Sequence, residues 1–280
     1  SICRHFLNKS TGMVKFSFSI KTMVGGILTI VFPLIIQAQP ITEYPELNEY
    51  RKWGIIAGPV LYNKATITPQ YGDYTFENKP ILGFNAGIEY DFYPDAKWSF
   101  ITGFYTAIEP VYNLQFTLKK TDIYNHFDED YTDQINSYSI VTFSSPLLLR
   151  LTIQSGNKSY VSFSTGLKAM YFPNGGADMV YAMTSQELSE TREVFGLKLE
   201  SPKNSFQGSF VVGTGFSYAM DKVLLKANLI YVMNFQNTIS GEYQFANLFT
   251  SPDTRGYYDL SGNYLGLLFS VSLKKGKNKY

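Results

Sequence analysis

Apolar and polar positions alternate along much of this chain with a period of two. Between Ile81 and Tyr93, the residues Phe84, Ala86, Ile88, Tyr90 and Phe92 alternate with Asn85, Gly87, Glu89 and Asp91. From Val223 to Gln236, Val223, Leu225, Ala227, Leu229, Tyr231, Met233 and Phe235 alternate with a set containing Lys226, Asn228, Asn234 and Gln236. Ser205 to Ala219 repeats the pattern, with Phe206, Phe210, Val212, Phe216 and Tyr218 set against Gln207, Ser209, Gly213, Gly215 and Ser217. Such alternation marks a strand with one apolar face, and a dozen residues is long for a strand in a soluble domain. Five further segments fit the pattern less cleanly: Trp53–Tyr62, Trp98–Leu118, Ser137–Ile153, Ser159–Tyr171 and Tyr258–Lys274. In the third of these, Val141, Phe143, Leu147, Leu149 and Leu151 share a face and leave Arg150 on the other; in the last, Leu265, Leu267, Phe269, Val271 and Leu273 do the same. Eight antiparallel strands are expected, with the count open by one hairpin.

The connections then decide the class. Those after strands two, four and six are short (Pro94–Lys97, Ser155–Lys158, Met220–Lys222), and those after one, three, five and seven are long (63–80, 119–136, 172–204, 237–257). Alternating tight turns and long loops are the habit of a transmembrane up-and-down β-barrel, turns in the periplasm and loops outside. An even strand number puts the N- and C-termini on the periplasmic side. Aromatic residues flank both sets of connections, Phe92, Tyr93, Trp98, Tyr160 and Tyr218 on one side and Tyr62, Tyr112, Tyr171 and Tyr257 on the other. Rings with a polar edge favour the headgroup level, so two girdles are expected. A soluble β-sandwich, the alternative, would better suit strands of about eight residues joined by uniformly short turns.

Composition supports strands and turns: Tyr, Phe and Gly supply 22 residues each. Mean hydropathy is −0.10, which is compatible with a barrel whose lipid-facing and lumen-facing residues average out. The N-terminal stretch reads as an address. From Met13, the more natural start, come Lys15 and Lys21, an apolar run from Met23 to Ile36, and Gln37-Ala38-Gln39. That is the secretory signal pattern, and the run, broken by Gly25, Gly26 and Pro33, is shorter than the roughly 20 residues a spanning helix needs. The expected organisation is a signal peptide over 1–38, a short periplasmic segment over 39–52, the barrel over 53–274 and a tail over 275–280. The single cysteine, Cys3, falls in the signal stretch, so no disulfide or thiolate metal site is expected. No basic stripe points to nucleic acid.

The stretch Phe143-Ser-Ser-Pro-Leu-Leu-Leu-Arg150, the following Tyr160-Val-Ser-Phe-Ser-Thr-Gly166 and the early Trp53-Gly-Ile-Ile-Ala-Gly58 resemble the small outer-membrane β-barrel proteins of Bacteroidota, the porin-family or PorT-like group. The resemblance runs from Trp53 to Leu273. It implies an integral outer-membrane location, and because some members are linked to protein secretion and gliding, it points to a protein partner in a secretion or envelope complex. The group has no catalytic motif to transfer. The long 172–204 connection and the tail Lys274–Tyr280, with no aromatic directly closing the last strand, depart from the group.

With apolar faces turned to lipid, the inward set contains Glu89, Asp91, Glu109, Arg150, Lys168 and Lys226. An eight-stranded barrel is just wide enough to be filled by side chains. Opposite charges enclosed there are expected to pair, because an unpaired buried charge is expensive. The expected role of the set is a structural ionic network, with a narrow ion-conducting path as the alternative. Enzymatic chemistry has one histidine outside the signal stretch to draw on, His126, in Tyr124-Asn-His-Phe-Asp-Glu-Asp130. Its acidic neighbours match no calcium loop and a lone imidazole makes a poor zinc site, so no catalytic residue, cofactor or metal is expected; an outer-membrane enzyme using His126 beside Asp128, Glu129 and Asp130 is the alternative. The long loops carry the binding expectation. Thr184–Phe195 can form a short helix capped by Ser185, and the 237–257 loop carries Tyr243, Phe245 and Phe249; such loops either offer a surface to a protein, glycan or lipopolysaccharide or simply pack the rim. The reading is a non-enzymatic outer-membrane scaffold or binding protein, surrounded by membrane lipid.

Overall fold

The computed structural model describes residues 42–276, apart from 124–128, 137–138, 174–175, 186–189 and 203. The stretch expected to be a signal peptide, His126 and the last four residues lie outside the described residues. The first described element is a 3-10 turn, Pro45–Glu49, followed by β1 (Trp53–Tyr62), β2 (Thr66–Tyr71), β3 (Phe76–Asn78), β4 (Ile81–Asp91), β5 (Trp98–Pro110) and β6 (Asn113–Leu118). It continues with β7 (Tyr131–Asn136), β8 (Ser139–Gly156), β9 (Ser159–Tyr171), β10 (Gly176–Ser185) and β11 (Glu190–Glu200). The last five strands are β12 (Phe206–Ala219), β13 (Val223–Asn234), β14 (Ile239–Phe245), β15 (Thr254–Leu260) and β16 (Tyr264–Leu273).

Eight of these strands close on themselves in the order β1-β16-β13-β12-β9-β8-β5-β4, every pair antiparallel. Closure leaves no strand edge. The alternation read in the sequence becomes an inside and an outside. In β16 the burial pattern is strictly alternating, with Leu265, Leu267, Phe269, Val271 and Leu273 exposed. Ile88, Phe104, Leu147, Phe163, Phe216 and Leu229 extend the same exposed apolar band around the wall. A band of large apolar side chains on every strand of a closed barrel is a lipid-facing surface. No helix among the described residues is long and apolar enough to cross a membrane.

At one end, the turn end, the strands are joined by the short connections 92–97, 157–158 and 220–222. At the opposite end, the long connections fold rather than remaining loops. Each contributes two strands: β2 and β3, β6 and β7, β10 and β11, β14 and β15. These assemble into a five-stranded sheet, β10-β11-β14-β15-β2, and a three-stranded sheet, β3-β6-β7. The first connection stitches the two sheets together, because β2 pairs with β15 and β3 with β6. Phe116 of one sheet packs on Phe195, Phe245 and Tyr181 of the other, and Phe76 on Phe195, Tyr243 and Tyr258. The result is a two-sheet crown with its own aromatic core.

Several expectations are corrected here. The segment Trp98–Leu118 is two strands, separated at Val111 and Tyr112 just after Pro110, whose missing N–H cannot continue a ladder. Tyr258–Lys274 likewise divides at Ser261-Gly262-Asn263, where Gly262 takes a left-handed φ of +67°. Of the expected helix over Thr184–Phe195, the described residues are strand, β10 to Ser185 and its partner β11 from Glu190, and 186–189 lie outside the described residues. Tyr243 and Phe245 are core rather than surface, and Phe249 stays exposed. Of the girdle residues, Tyr62, Tyr112 and Tyr160 are buried in the protein.

Candidate functional site

The interior of the barrel is layered. At the turn end the segment before β1 seals the mouth. Its Tyr44, Leu47 and Tyr50 bury against Tyr160, Ala219 and Leu224. The Tyr44 hydroxyl donates to the Thr152 carbonyl at 3.1 Å and the Tyr50 hydroxyl to the Met220 carbonyl at 2.6 Å. Glu49 meets Lys274 at 2.5 Å, and Glu46 accepts from the Tyr160 hydroxyl. Every barrel strand that leaves this end is preceded by a lysine or arranged beside one: Lys52, Lys97, Lys158 and Lys222 stand immediately before β1, β5, β9 and β13. An acidic 3-10 turn therefore sits in a basic mouth.

Above this stopper lies an ionic tier. Arg150 Nη2 is 2.5 Å from Asp91 Oδ2, and Lys226 Nζ is 2.8 Å from Glu89 Oε1 and 3.9 Å from Asp91 Oδ2. The Ser270 hydroxyl donates to the same Glu89 Oε1 at 2.7 Å. All four charged residues are buried. Two cations facing two carboxylates at contact distance offset much of the desolvation each would suffer alone. Next comes an apolar waist of Ile56, Ile101, Leu148, Val211, Val232 and Leu268. A second polar tier follows towards the crown. There Lys168 Nζ donates to the Tyr264 hydroxyl at 3.2 Å and stands 4.8 Å from the centre of its ring. Asn85 Nδ2 donates to the same hydroxyl at 3.1 Å, and the Thr142 hydroxyl donates to Glu109 Oε1 at 2.6 Å.

All six charged residues read from the sequence thus lie inside, but they do not form one network. Asp91, Arg150, Lys226 and Glu89 make contact pairs; Glu109 and Lys168 form no ion pair within 4.0 Å among the described residues. His126 and Asp128 lie outside the described residues. Among the described residues, no three His, Cys, Asp or Glu side chains converge to hold a metal ion.

Sequence reasoning missed Asp122, which is buried in the crown. Its carboxylate accepts the Tyr74 hydroxyl at 2.5 Å, the backbone N–H groups of Thr250 and Ser251 at 2.8 and 2.7 Å, and their hydroxyls at 2.5 and 2.7 Å. Burial pushes the carboxyl upward, but the bonds from Ser251, Thr250 and Tyr74 outweigh it and hold the group well below the ordinary carboxylate range. Tyr74, buried and donating to that carboxylate, is pushed up to about 12. No local signal marks Asp122, because its donors lie 48 and 128 positions away in sequence.

The outward face of the five-stranded sheet is polar. Lys198, Glu242, Tyr257 and Thr68, all exposed, stand in register across β11, β14, β15 and β2. Tyr257 is exposed, its hydroxyl accepting from Gln70 Nε2 at 2.6 Å.

No protein-family model and no curated protein matches this chain. Among solved structures it is similar to the outer membrane protein OprG from Pseudomonas aeruginosa, at 12% identity and a TM-score of 0.40, over 81% of this chain and 98% of that one. It is also similar to the deltaS2 mutant of TodX, a monoaromatic hydrocarbon channel, at 11% identity and a TM-score of 0.28 over 80% of this chain. The chain spans 58% of the TodX length. Likenesses this distant decide nothing. The chain's own geometry does: a closed antiparallel barrel pairs its strands internally and presents a predominantly apolar outer band to lipid. The protein is an integral outer-membrane β-barrel.

Proposed function

We propose that this barrel is a non-conducting, non-enzymatic mount that holds its two-sheet crown outside the cell as a binding surface, with the turns and both ends of the chain in the periplasm. The observation that carries this reading is the crown itself. Four connections that could have stayed open loops instead form paired sheets over one aromatic core. A rigid surface loses less entropy on binding than mobile loops do. The stopper, the ionic tier and the crown core stand one after another along the barrel axis, which opposes diffusion through the lumen. The four connections at the crown end carry 15 acidic residues against 8 basic, so the partner we expect is a protein with a basic surface, within a secretion or envelope complex.

Two measurements on purified full-length protein test this. In planar bilayers it should give no single-channel steps; reproducible steps would replace the mount with a narrow channel. A partner co-purifying in mild detergent should be lost on Glu242→Lys with Tyr257→Ser, and should dissociate with rising salt. Retention of the partner by that double variant would remove the crown face from the proposal.

A further inference from the structure

A cavity of about 50 Å³ lies in the apolar waist between the two polar tiers. Its lining is mixed. Ile56, Leu148 and Val211 face it, but so do Glu89, Lys168 and Asn85, each more than nine-tenths buried. These three polar groups have bonding capacity that no protein atom uses. Asn85 Oδ1 has no hydrogen-bond partner, although its Nδ2 is engaged by Tyr264. Lys168 carries three N–H donors, of which one is directed to Tyr264. Both bonds to Glu89 fall on Oε1, leaving Oε2 free.

We propose that this cavity is a water site, holding about three or four molecules that accept from Lys168, donate to Asn85 Oδ1 and reach the carboxylate of Glu89. A water needs about 10–15 Å³ of such space and two to four polar partners, and the cavity meets both conditions. The charges select a neutral ligand. Arg150 and Lys226 are balanced by Asp91 and Glu89, while Lys168 and Glu109 share the second tier without pairing. An anion beside Lys168 would face Glu89, and a cation would face Lys168 itself. A small dipole can satisfy an ammonium at one end of the cavity and a carboxylate at the other. The cluster couples the ionic tier to the tyrosine tier across the waist. Tyr264, which lines the cavity, packs edge-to-face on Tyr62 with ring centres 5.2 Å apart.

The test is a crystal structure of the full-length protein in detergent, grown with bromide replacing chloride and refined well enough to place ordered water. The expected result is at least two density peaks within hydrogen-bonding distance of Lys168 Nζ and Asn85 Oδ1, with no anomalous signal at the bromide edge. An anomalous peak there would make the cavity an anion site and overturn the proposal. Featureless density would make it a dry void and overturn it equally. In Lys168→Met, the peak nearest the former ammonium should vanish; an unchanged cluster would remove Lys168 from the site.

Discussion

The carboxylate of Asp122 is the point at which three of the four crown-end connections meet. Tyr74 reaches it from the first, and Thr250 and Ser251 from the fourth, while Asp122 itself belongs to the second. Among the described residues no cation pairs with it, and the charge is held by five hydrogen bonds from the neutral donors Tyr74, Thr250 and Ser251. Replacing Asp122 by Asn keeps the shape but removes the charge and turns one oxygen into a donor facing donors. The expected loss is about 2 kcal/mol of local stability, since bonds to a charged group are worth about 1.5–3 kcal/mol each and not all will break. Hydrogen exchange at the Thr250 and Ser251 amides should read it as roughly a thirtyfold loss of protection. The same group predicts an acid dependence. Its folded pKa is depressed, so its stabilisation is fully present above the unfolded aspartate value of about 3.9 and is lost as the pH falls from there through the depressed folded value. Crown amides of the native protein should therefore lose protection as the pH drops below about 4, and Asp122→Asn should abolish that part of the slope. An identical slope in both proteins would take Asp122 out of the account.

The barrel strands were legible because each presents one uniform environment on each face. In β4, Glu89 and Asp91 lie on the buried parity and Ile88 and Tyr90 on the exposed one, as the alternation requires. The crown strands were not, and β11 shows why. Tyr181 pairs with Phe195 and Ala182 with Glu193, so Val194 is an extra residue in a bulge. The bulge buries Val194 and Phe195 side by side, which breaks the period of two and imitates the doublet of an amphipathic helix. β2 carries a similar irregularity opposite Arg255 and Gly256, and contains Pro69 at a sheet edge. The pairing of the lumen charges was legible only in part: residue parity places Glu109 and Lys168 inside, but their separation depends on stagger between strands that sequence does not record. The stopper was invisible for a different reason. Its 3-10 turn is five residues long, too short for any period, and its stability comes from what it covers. Leu47 is buried beneath it, against residues of β9, β12 and β13. Leu47→Ala should loosen this turn by about 2–3 kcal/mol, within the usual range for a buried leucine. Limited proteolysis should then cut within 42–50 while the barrel remains resistant to unboiled detergent. Trp53 and Trp98, both at the turn end, should report the change as altered fluorescence; an unchanged cleavage rate would mean the turn is not held by its apolar anchors.

At the scale of the whole molecule the chain builds two structures that obey opposite solvent rules. The barrel turns apolar residues outward and charges inward, which is stable only in lipid. The crown turns Tyr74, Phe116, Phe195, Phe245 and Tyr258 inward and presents Lys198, Glu242 and Arg255 to water, which is stable only outside it. Each long connection crosses that boundary twice, and Met170, Phe172, Ile239 and Leu260, near the ends of barrel and crown strands, belong to the crown core. A mount for a binding surface needs the two parts joined in position yet separate in stability, so that a change in the crown leaves the insertion intact. Phe116→Ala separates these possibilities. The ring is buried between the two sheets, and removing it should cost about 3–5 kcal/mol without touching a barrel strand. The expected outcome is faster exchange throughout β6, β11 and β14, with unchanged protection in β12, β13 and β16 and an unboiled gel mobility equal to that of the native protein. Loss of the folded barrel band in this variant would show that crown and barrel unfold as one cooperative unit, and the crown would then be part of what closes the barrel rather than something the barrel carries.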